Sequence, residues 1–354
     1  MKAVVLSGNG VLRVEHRAPP TLGDGQCLVS IDASGVCSSD LARAFAGGAY
    51  AYPLIMGHEA AGHIVSCGRD VRGLRPGESV TIFPLLPCWA CEACGRKAYP
   101  QCVTYDYYGS RRDGAYAECV AVAAWNLLPV PESVSAADAA LTEPTAVVLH
   151  ALGRLAPSSA DAEIVVIGAG FLGQLAVALL ARQYPRLRVT VLDRHAWKLE
   201  RARSAGADVV RLADPAAWER YAGTQGGRFS LVLEAAGTPS AFSNSLALAA
   251  RGGRVAWMGN ISDDVTLSRT LVDHIVRREI TVLGTWNSTY DGPRPSDWTA
   301  ALALMSVGFS PAALVDRALG LDDLPEALTL LYNQKMRGAA SEVLKVMVEP
   351  RRSR

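Results

Sequence analysis

Short, mostly apolar stretches broken by turn residues mark the early chain. Residues 2 to 6 and 27 to 33 read as strands, with Pro19-Pro20 and Gly23-Asp24-Gly25 marking turns between them. Turn residues from Gly68 to Val80 lead into a further strand at Ser79 to Phe83, and Gly109 to Gly114 predicts a turn before a strand at Ala115 to Glu118. From Ala162 the pattern changes. Ile164 to Ile167 is an unbroken apolar run of the kind buried on both faces of a parallel sheet, and it enters Gly168-Ala169-Gly170-Phe171-Leu172-Gly173 and then an apolar helix. Strands at Arg188 to Leu192, Asp208 to Leu212, Phe229 to Glu234, Gly253 to Gly259 and Glu279 to Thr285 follow, separated by helical patterns. Strand and helix in alternation predict an α/β fold with a doubly wound parallel sheet.

The chain has 354 residues, half of them apolar, which is enough for two cores. A net charge of +1 provides no general basic field, so nucleic acid and anionic membrane surfaces are not expected partners. The basic tail Arg351 to Arg354 is short and reads as a frayed terminus. Met1 to Leu6 is too short an apolar run for a signal peptide. The best candidate for a membrane span, Ile164 to Ala181, is interrupted by Gln174 and three glycines, and the strand, turn and helix account for it. A soluble, cytoplasmic protein is expected, and in that setting eight cysteines point to metal ligation rather than disulfides.

Candidate chemistry gathers at four places. Met56 to Gly62 sets an imidazole, His58, and a carboxylate, Glu59, among small residues. Cys37 precedes it and Glu143-Pro144 follows. A thiolate, an imidazole and a carboxylate can form a catalytic zinc shell of three protein ligands and one open position. Cys88, Cys91, Cys94 and Cys102 make a CxxCxxC run with a fourth thiol eight positions on. Such a set can close a four-thiolate zinc site or hold an iron–sulfur cluster. Gly168, Gly170, Leu172 and Gly173, between strand and helix, fit a turn that offers backbone N–H groups to a pyrophosphate. Asp193, twenty residues beyond Gly173, would accept hydrogen bonds from a ribose and repel a 2′-phosphate, so NAD is favoured over NADP; the neighbouring Arg194 weakens that preference slightly. Arg111 and Arg112 are either a solvated turn or holders of an anionic substrate group. Tyr50, Tyr52, Tyr116 and Trp286 are pocket-wall candidates, and Cys27, Cys67 and Cys119, with no partner pattern, read as buried free thiols.

Gly35-Val36-Cys37-Ser38-Ser39-Asp40 followed by Gly57-His58-Glu59-Ala60-Ala61-Gly62 resembles the zinc-dependent medium-chain dehydrogenase/reductase family, and the likeness extends over nearly the whole chain. It implies a mainly β, GroES-like catalytic domain at 1–153, a Rossmann NAD-binding domain at 154–286 and a return to the first domain at 287–354. The four-cysteine run, in a lobe at about 84–105, resembles the family's structural-zinc lobe. One catalytic and one structural Zn2+ per subunit are therefore implied. Cys37 and His58 take the place of catalytic zinc ligands. Ser39 takes that of the residue passing on the substrate's proton, and Ala42 stands where some relatives carry a histidine that continues the relay. Glu143 resembles the third ligand of the polyol dehydrogenase branch, which makes Glu59 an exchangeable carboxylate able to compete with water at the metal. Pro84 to Cys88, Tyr105 to Gly114 and Arg278 to Trp286 resemble members of that branch acting on polyol phosphates.

The implied reaction is NAD-dependent oxidation of a secondary alcohol of a polyol or polyol phosphate to a ketone, by a homo-oligomer (dimer or tetramer). The alternative substrate is a cyclitol or cyclitol phosphate of secondary metabolism. A zinc-stabilised binding or regulatory module without catalysis is a different class of function. Near-neutral charge and a complete catalytic ligand set argue against it.

Overall fold

The computed structural model describes residues 1–212, 221, 223–337 and 342–352, so Ser353 and Arg354 of the basic tail lie outside the described residues. The chain divides into two compact units, Met1–Ala146 with Ser288–Arg354, and Val147–Asn287. The first division falls inside the helix Thr142–Leu155.

The first unit is built on a seven-stranded sheet. Its strands run Leu127–Pro129, Ser79–Ile82, Glu59–Cys67, Gln26–Gly35, Val346–Val348 and Arg317–Leu319 in spatial order, with Cys119–Ala123 also paired to Gln26–Gly35. A smaller sheet joins Lys2–Gly8 to Val11–His16 and Leu54–Ile55. The strand Gln26–Gly35 is the spine. It buries Cys27, Val29, Ile31 and Ala33, and Ser30 and Ser34 between and beyond them, as a central strand covered on both faces does. Its antiparallel partner, Glu59–Cys67, pairs Gly35 with Glu59 and Cys27 with Cys67 at its two ends. The candidate carboxylate therefore begins a central strand, directly opposite the residue two before Cys37.

Two sequence expectations for this unit change. Ala115 to Glu118 is not a strand: only Ala117 bridges to Ala3, and the amides of Ala115 and Tyr116 bond to the carbonyls of Gly57 and Met56. The regular strand starts at Cys119. Cys27 and Cys67, expected to lack partners, face one another across the two strands with sulfurs 3.5 Å apart, and Cys67 and Cys119 are only half-buried.

The second unit is a six-stranded, fully parallel sheet in the order Val209–Leu212, Arg188–Asp193, Glu163–Ile167, Phe229–Glu234, Ala249–Trp257, Thr281–Gly284. The order reverses beside Glu163–Ile167, the switch point at which doubly wound sheets bind ligands at their strand ends. Helices Phe171–Gln183 and Pro239–Leu248 supply covering residues such as Leu175, Leu179, Phe242 and Leu246. Among the described residues no helix is long and apolar enough to cross a membrane.

Candidate functional site

His58 is positioned by a turn only glycine can make. Gly57 has φ +94°, and a Cβ there would lie 2.6 Å from the Tyr116 ring. The imidazole beyond it is buried, with Nδ1 3.4 Å from Asp40 Oδ1 but in no aligned hydrogen bond. Asp40 is fully buried and organises its surroundings. It accepts hydrogen bonds from the Tyr116 hydroxyl (2.7 Å), Arg43 Nη1 (2.8 Å) and the backbone N–H of Cys37 (3.1 Å). Burial works against its charge, but His58, Arg43 and Tyr116 together hold its pKa down to about 2. Burial equally opposes a charge on His58, and the facing Asp40 outweighs it, raising the imidazole well above its ordinary value.

Cys37 caps the helix Ser38–Phe45, its sulfur accepting the N–H of Ser39 at 3.5 Å, while Asp40 at the third helical position returns a bond to the Cys37 amide. This reciprocal cap fixes the thiol, and it places Asp40 where it also faces His58. Ser39 is half-buried in the first turn of that helix. Ligand atoms of Cys37, His58 and Glu59 lie within 4.8 Å of one another.

Glu59 is buried and paired with a buried lysine, Lys345, whose ammonium also donates to the Val36 carbonyl at 2.9 Å. Glu143, in the first turn of the helix Thr142–Leu155, is outside the 4.8 Å set, and its Oε1 accepts from the Tyr107 hydroxyl at 3.4 Å. Burial, reinforced by the charge of Glu59, raises Glu143 to about 7. The expected third ligand thus borders the cluster, while the carboxylate expected to exchange stands within it. Tyr116, expected on a pocket wall, is wholly buried behind Asp40; Tyr50 and Tyr52 are exposed in the first unit, and Trp286 is exposed in the second. Asp40, Lys345 and Tyr107 are the neighbours that sequence reasoning missed. Only Asp40 left a local signal, the Cys-x-x-Asp spacing of a capping box.

The four cysteines of the lobe also converge, their sulfurs within 4.8 Å of one another, with Cys91–Cys94 at 3.5 Å and Cys88–Cys94 at 3.9 Å. Thiolates placed tetrahedrally on zinc stand ~3.8 Å apart, given a Zn–S bond of about 2.3 Å, so the donor set and its spacing fit that ion. Amides of Ala90 and Cys91 and the Thr104 hydroxyl draw the Cys88 thiol down to about 6, whereas burial pushes Cys94 up to about 12. The lobe is held by Trp89, whose ring packs 4.7 Å from Trp125, and by an ion pair between Lys97 and Asp291.

In the second unit the glycine turn closes on itself. A Cβ on Gly173 would lie 1.9 Å from the Gly168 carbonyl and one on Gly168 2.8 Å from the Ala236 amide, whereas one on Gly170 would meet nothing. Gly170 caps the N-terminus of the helix Phe171–Gln183, so open space lies where a phosphate would approach backbone N–H groups. Leu172 is half-buried in its first turn. Asp193 ends its strand as expected, with Oδ2 accepting the Ala169 amide at 2.8 Å and Oδ1 the His195 amide at 2.8 Å; Arg194 beside it is exposed. The carboxylate therefore also braces the turn, a role the spacing alone did not reveal.

Residues 23–132 match the alcohol dehydrogenase GroES-like domain, and residues 172–307 match the zinc-binding dehydrogenase family. Galactitol 1-phosphate 5-dehydrogenase of Escherichia coli K12 is 36% identical over 314 residues, 86% of this chain and 89% of its own length. Two solved structures superpose over 99% of both chains. One is a zinc-binding dehydrogenase of Sinorhizobium meliloti 1021 bound to NADP (TM-score 0.87, 28% identity). The other is an alcohol dehydrogenase of Escherichia coli CFT073, described as short chain, complexed with NADH (TM-score 0.88, 25% identity).

Proposed function

The chain belongs to the zinc-dependent medium-chain dehydrogenase/reductase family, and from that premise we propose that it oxidises a secondary alcohol of a polyol or polyol phosphate to a ketone, with NAD as acceptor. The observation that carries this reading is the convergence of Cys37, His58 and Glu59 within 4.8 Å, with Glu143 bordering them. A thiol, an imidazole and two carboxylates, drawn from a helix cap, the start of one strand and the first turn of a second helix, form a donor set suited to zinc. Nδ1 of buried His58 stands 3.4 Å from Asp40 Oδ1 without an aligned hydrogen bond, so a small ring adjustment on metal binding would let that carboxylate accept its N–H.

Cys37, His58 and Glu143 would hold the catalytic ion, with Glu59 as the exchangeable carboxylate. Zinc bound there supplies a Lewis acid that lowers the pKa of the substrate hydroxyl. The remaining roles belong to the chain. Ser39 takes the alcohol proton from its place beside Cys37, and Ala42 offers no next acceptor one turn on. Asp40, itself fixed by Tyr116 and Arg43, sets a negative charge behind the His58 ring. Lys345 balances the charge of Glu59 where water is excluded. Cys88, Cys91, Cys94 and Cys102 would hold a structural zinc that does no chemistry.

Gly168, Gly170, Leu172 and Gly173 would receive the cofactor's pyrophosphate, and Asp193 and Arg194 flank the ribose position. NAD is the preferred form because the Asp193 carboxylate would repel a 2′-phosphate. A homo-oligomer fits the surface of the second unit. There the strand Thr281–Gly284 ends the sheet, and the helix Arg269–Arg277 exposes Val272 and Val276.

The test is NAD(P)H formation by the zinc-loaded protein across paired acyclic polyols and cyclitols, each with and without a phosphate, with NAD and NADP. NAD-linked oxidation of an acyclic member is the expected result. Turnover of cyclitols alone would keep the chemistry and replace the substrate, and no turnover of any pair would overturn the reading.

A further inference from the structure

The turn Gly109 to Gly114 presents two adjacent arginines, and the structure gives them opposite fates. Arg112 is neutralised: its Nε and Nη2 close on Asp106 Oδ2 at 2.7 and 2.6 Å. Arg111 faces the other way. Its guanidinium lies over two tyrosine rings, 4.2 Å from the centre of Tyr105 and 4.6 Å from that of Tyr50. It donates to the Tyr105 carbonyl and, at 3.5 Å, to the Tyr50 hydroxyl, which leaves more than half of its N–H donors without a partner among the described residues. Among the described residues no carboxylate lies within ion-pairing distance of it. The carboxylate whose charge reaches it, Asp106, is already paired with Arg112, so this half-buried guanidinium, held by aromatic faces, keeps a fork open to an anion.

Its location gives that anion a meaning. The Tyr105 ring stands 6.2 Å from that of Tyr107, and the Tyr107 ring stands 5.8 Å from the imidazole of His58, while the Tyr107 hydroxyl touches Glu143. One continuous aromatic wall therefore runs from the candidate zinc ligands to Arg111. An acyclic substrate lying along it would have its reacting hydroxyl at one end of the wall and its far end at the guanidinium.

We propose that Arg111, and not Arg112, binds a phosphate monoester at the end of the substrate remote from the oxidised carbon, so that the preferred substrate class is polyol phosphates rather than free polyols. This rests on the dehydrogenase reading for its meaning but not for its detection. A planar guanidinium and a phosphate match as two parallel N–H···O bonds, and Tyr50 and Tyr105 hold the fork in advance.

Two measurements on the zinc-loaded full chain decide it. In the first, inorganic phosphate is titrated by calorimetry. Wild type and Arg112→Gln should bind it alike, and Arg111→Gln about 10- to 100-fold more weakly, the range for a lost hydrogen bond to a charged group. In the second, kinetics compare galactitol 1-phosphate with galactitol. Arg111→Gln should raise KM for the phosphate ester by a similar factor with kcat unchanged, and should leave galactitol untouched. Arg111→Lys, which keeps the charge but loses the fork, should fall between. Equal losses on both substrates, or phosphate binding that survives Arg111→Gln or vanishes only in Arg112→Gln, would overturn the assignment. If wild type oxidises neither substrate, the dehydrogenase reading fails for this pair while the phosphate titration still decides Arg111.

Discussion

The first unit carries two clusters of metal-type ligands, and they are built on opposite plans. The lobe cluster draws four identical thiols from residues 88 to 102, in a loop with two short helical turns, Glu92–Gly95 and Tyr99–Gln101. The other draws unlike groups from the cap of a helix, the start of a central strand and the first turn of a second helix. In the lobe, the amides of Ala90 and Cys91 and the Thr104 hydroxyl donate toward the Cys88 sulfur, and the ion pairs Lys97–Asp291 and Arg96–Glu92 join partners other than the sulfurs. The side chains of the mixed cluster each face a charged or polar partner, with Asp40 behind His58, Lys345 against Glu59, and the Tyr107 hydroxyl against Glu143. Four like ligands from one short stretch suit an ion that only fastens a loop. Unlike ligands, each oriented by a buried partner, suit an ion that must keep one position open and tune what binds there.

The largest effect that would sharpen this contrast is expected at Lys345. In Lys345→Met the buried Glu59 loses its cation, and urea unfolding should show a loss of about 3–5 kcal/mol, the range for breaking a buried pair from one side. Lys345→Arg should recover part of it. Loss of under about 1 kcal/mol in the methionine variant would mean that Glu59 is not held as a charge.

Asp40→Asn comes next. It keeps the shape of the cap but removes the charge behind His58, and zinc affinity of the mixed cluster should fall about 10- to 100-fold, with the lobe's zinc unaffected. Competition with a coloured chelator separates the two ions by rate, and equal weakening of both would erase the distinction between the clusters.

The smallest effect is in protons. Zinc binds thiolates, and the Cys94 thiol, pushed up to about 12, is protonated at neutral pH without the ion, whereas Cys88, at about 6, is largely ionised already. Filling the lobe must therefore release protons, and its zinc affinity should rise with pH across the neutral range. Calorimetry in buffers of different ionisation enthalpy would count them. A lobe that took up zinc with no proton release would contradict the thiol protonation described for Cys94.

What the sequence made legible follows the same division. The lobe could be read because all of its ligands lie within one local spacing pattern, and the glycine turn because Gly168, Gly170 and Gly173 perform their work within six residues. The alternation of apolar strand and helix gave the parallel sheet, since burial on both faces leaves an unbroken apolar run. The mixed cluster was legible only through the likeness of short motifs around Cys37 and His58. Its supports were not: Lys345 is 286 positions from Glu59 and follows no periodicity, because the two meet through the pairing of Val346–Val348 with the central strand. Ala115 to Glu118 reads as a strand by composition, yet tertiary contacts assign the Ala115 and Tyr116 amides to the turn that carries His58 and the Glu118 amide to the Lys2 carbonyl. Arg111 and Arg112 are indistinguishable in sequence and differ only in what each touches.

The measurement that bears most directly on the central claim is zinc content alongside NADH formation in wild type and Cys37→Ala. Wild type should carry two zinc ions per chain and oxidise a polyol or its phosphate. Cys37→Ala should retain the lobe's ion and its thermal stability, lose the other ion, and slow by about a thousandfold or more, as expected when a Lewis acid supplying several kcal/mol is removed. A Cys37→Ala protein that keeps both its zinc and its rate would contradict the assignment of the mixed cluster as the catalytic centre.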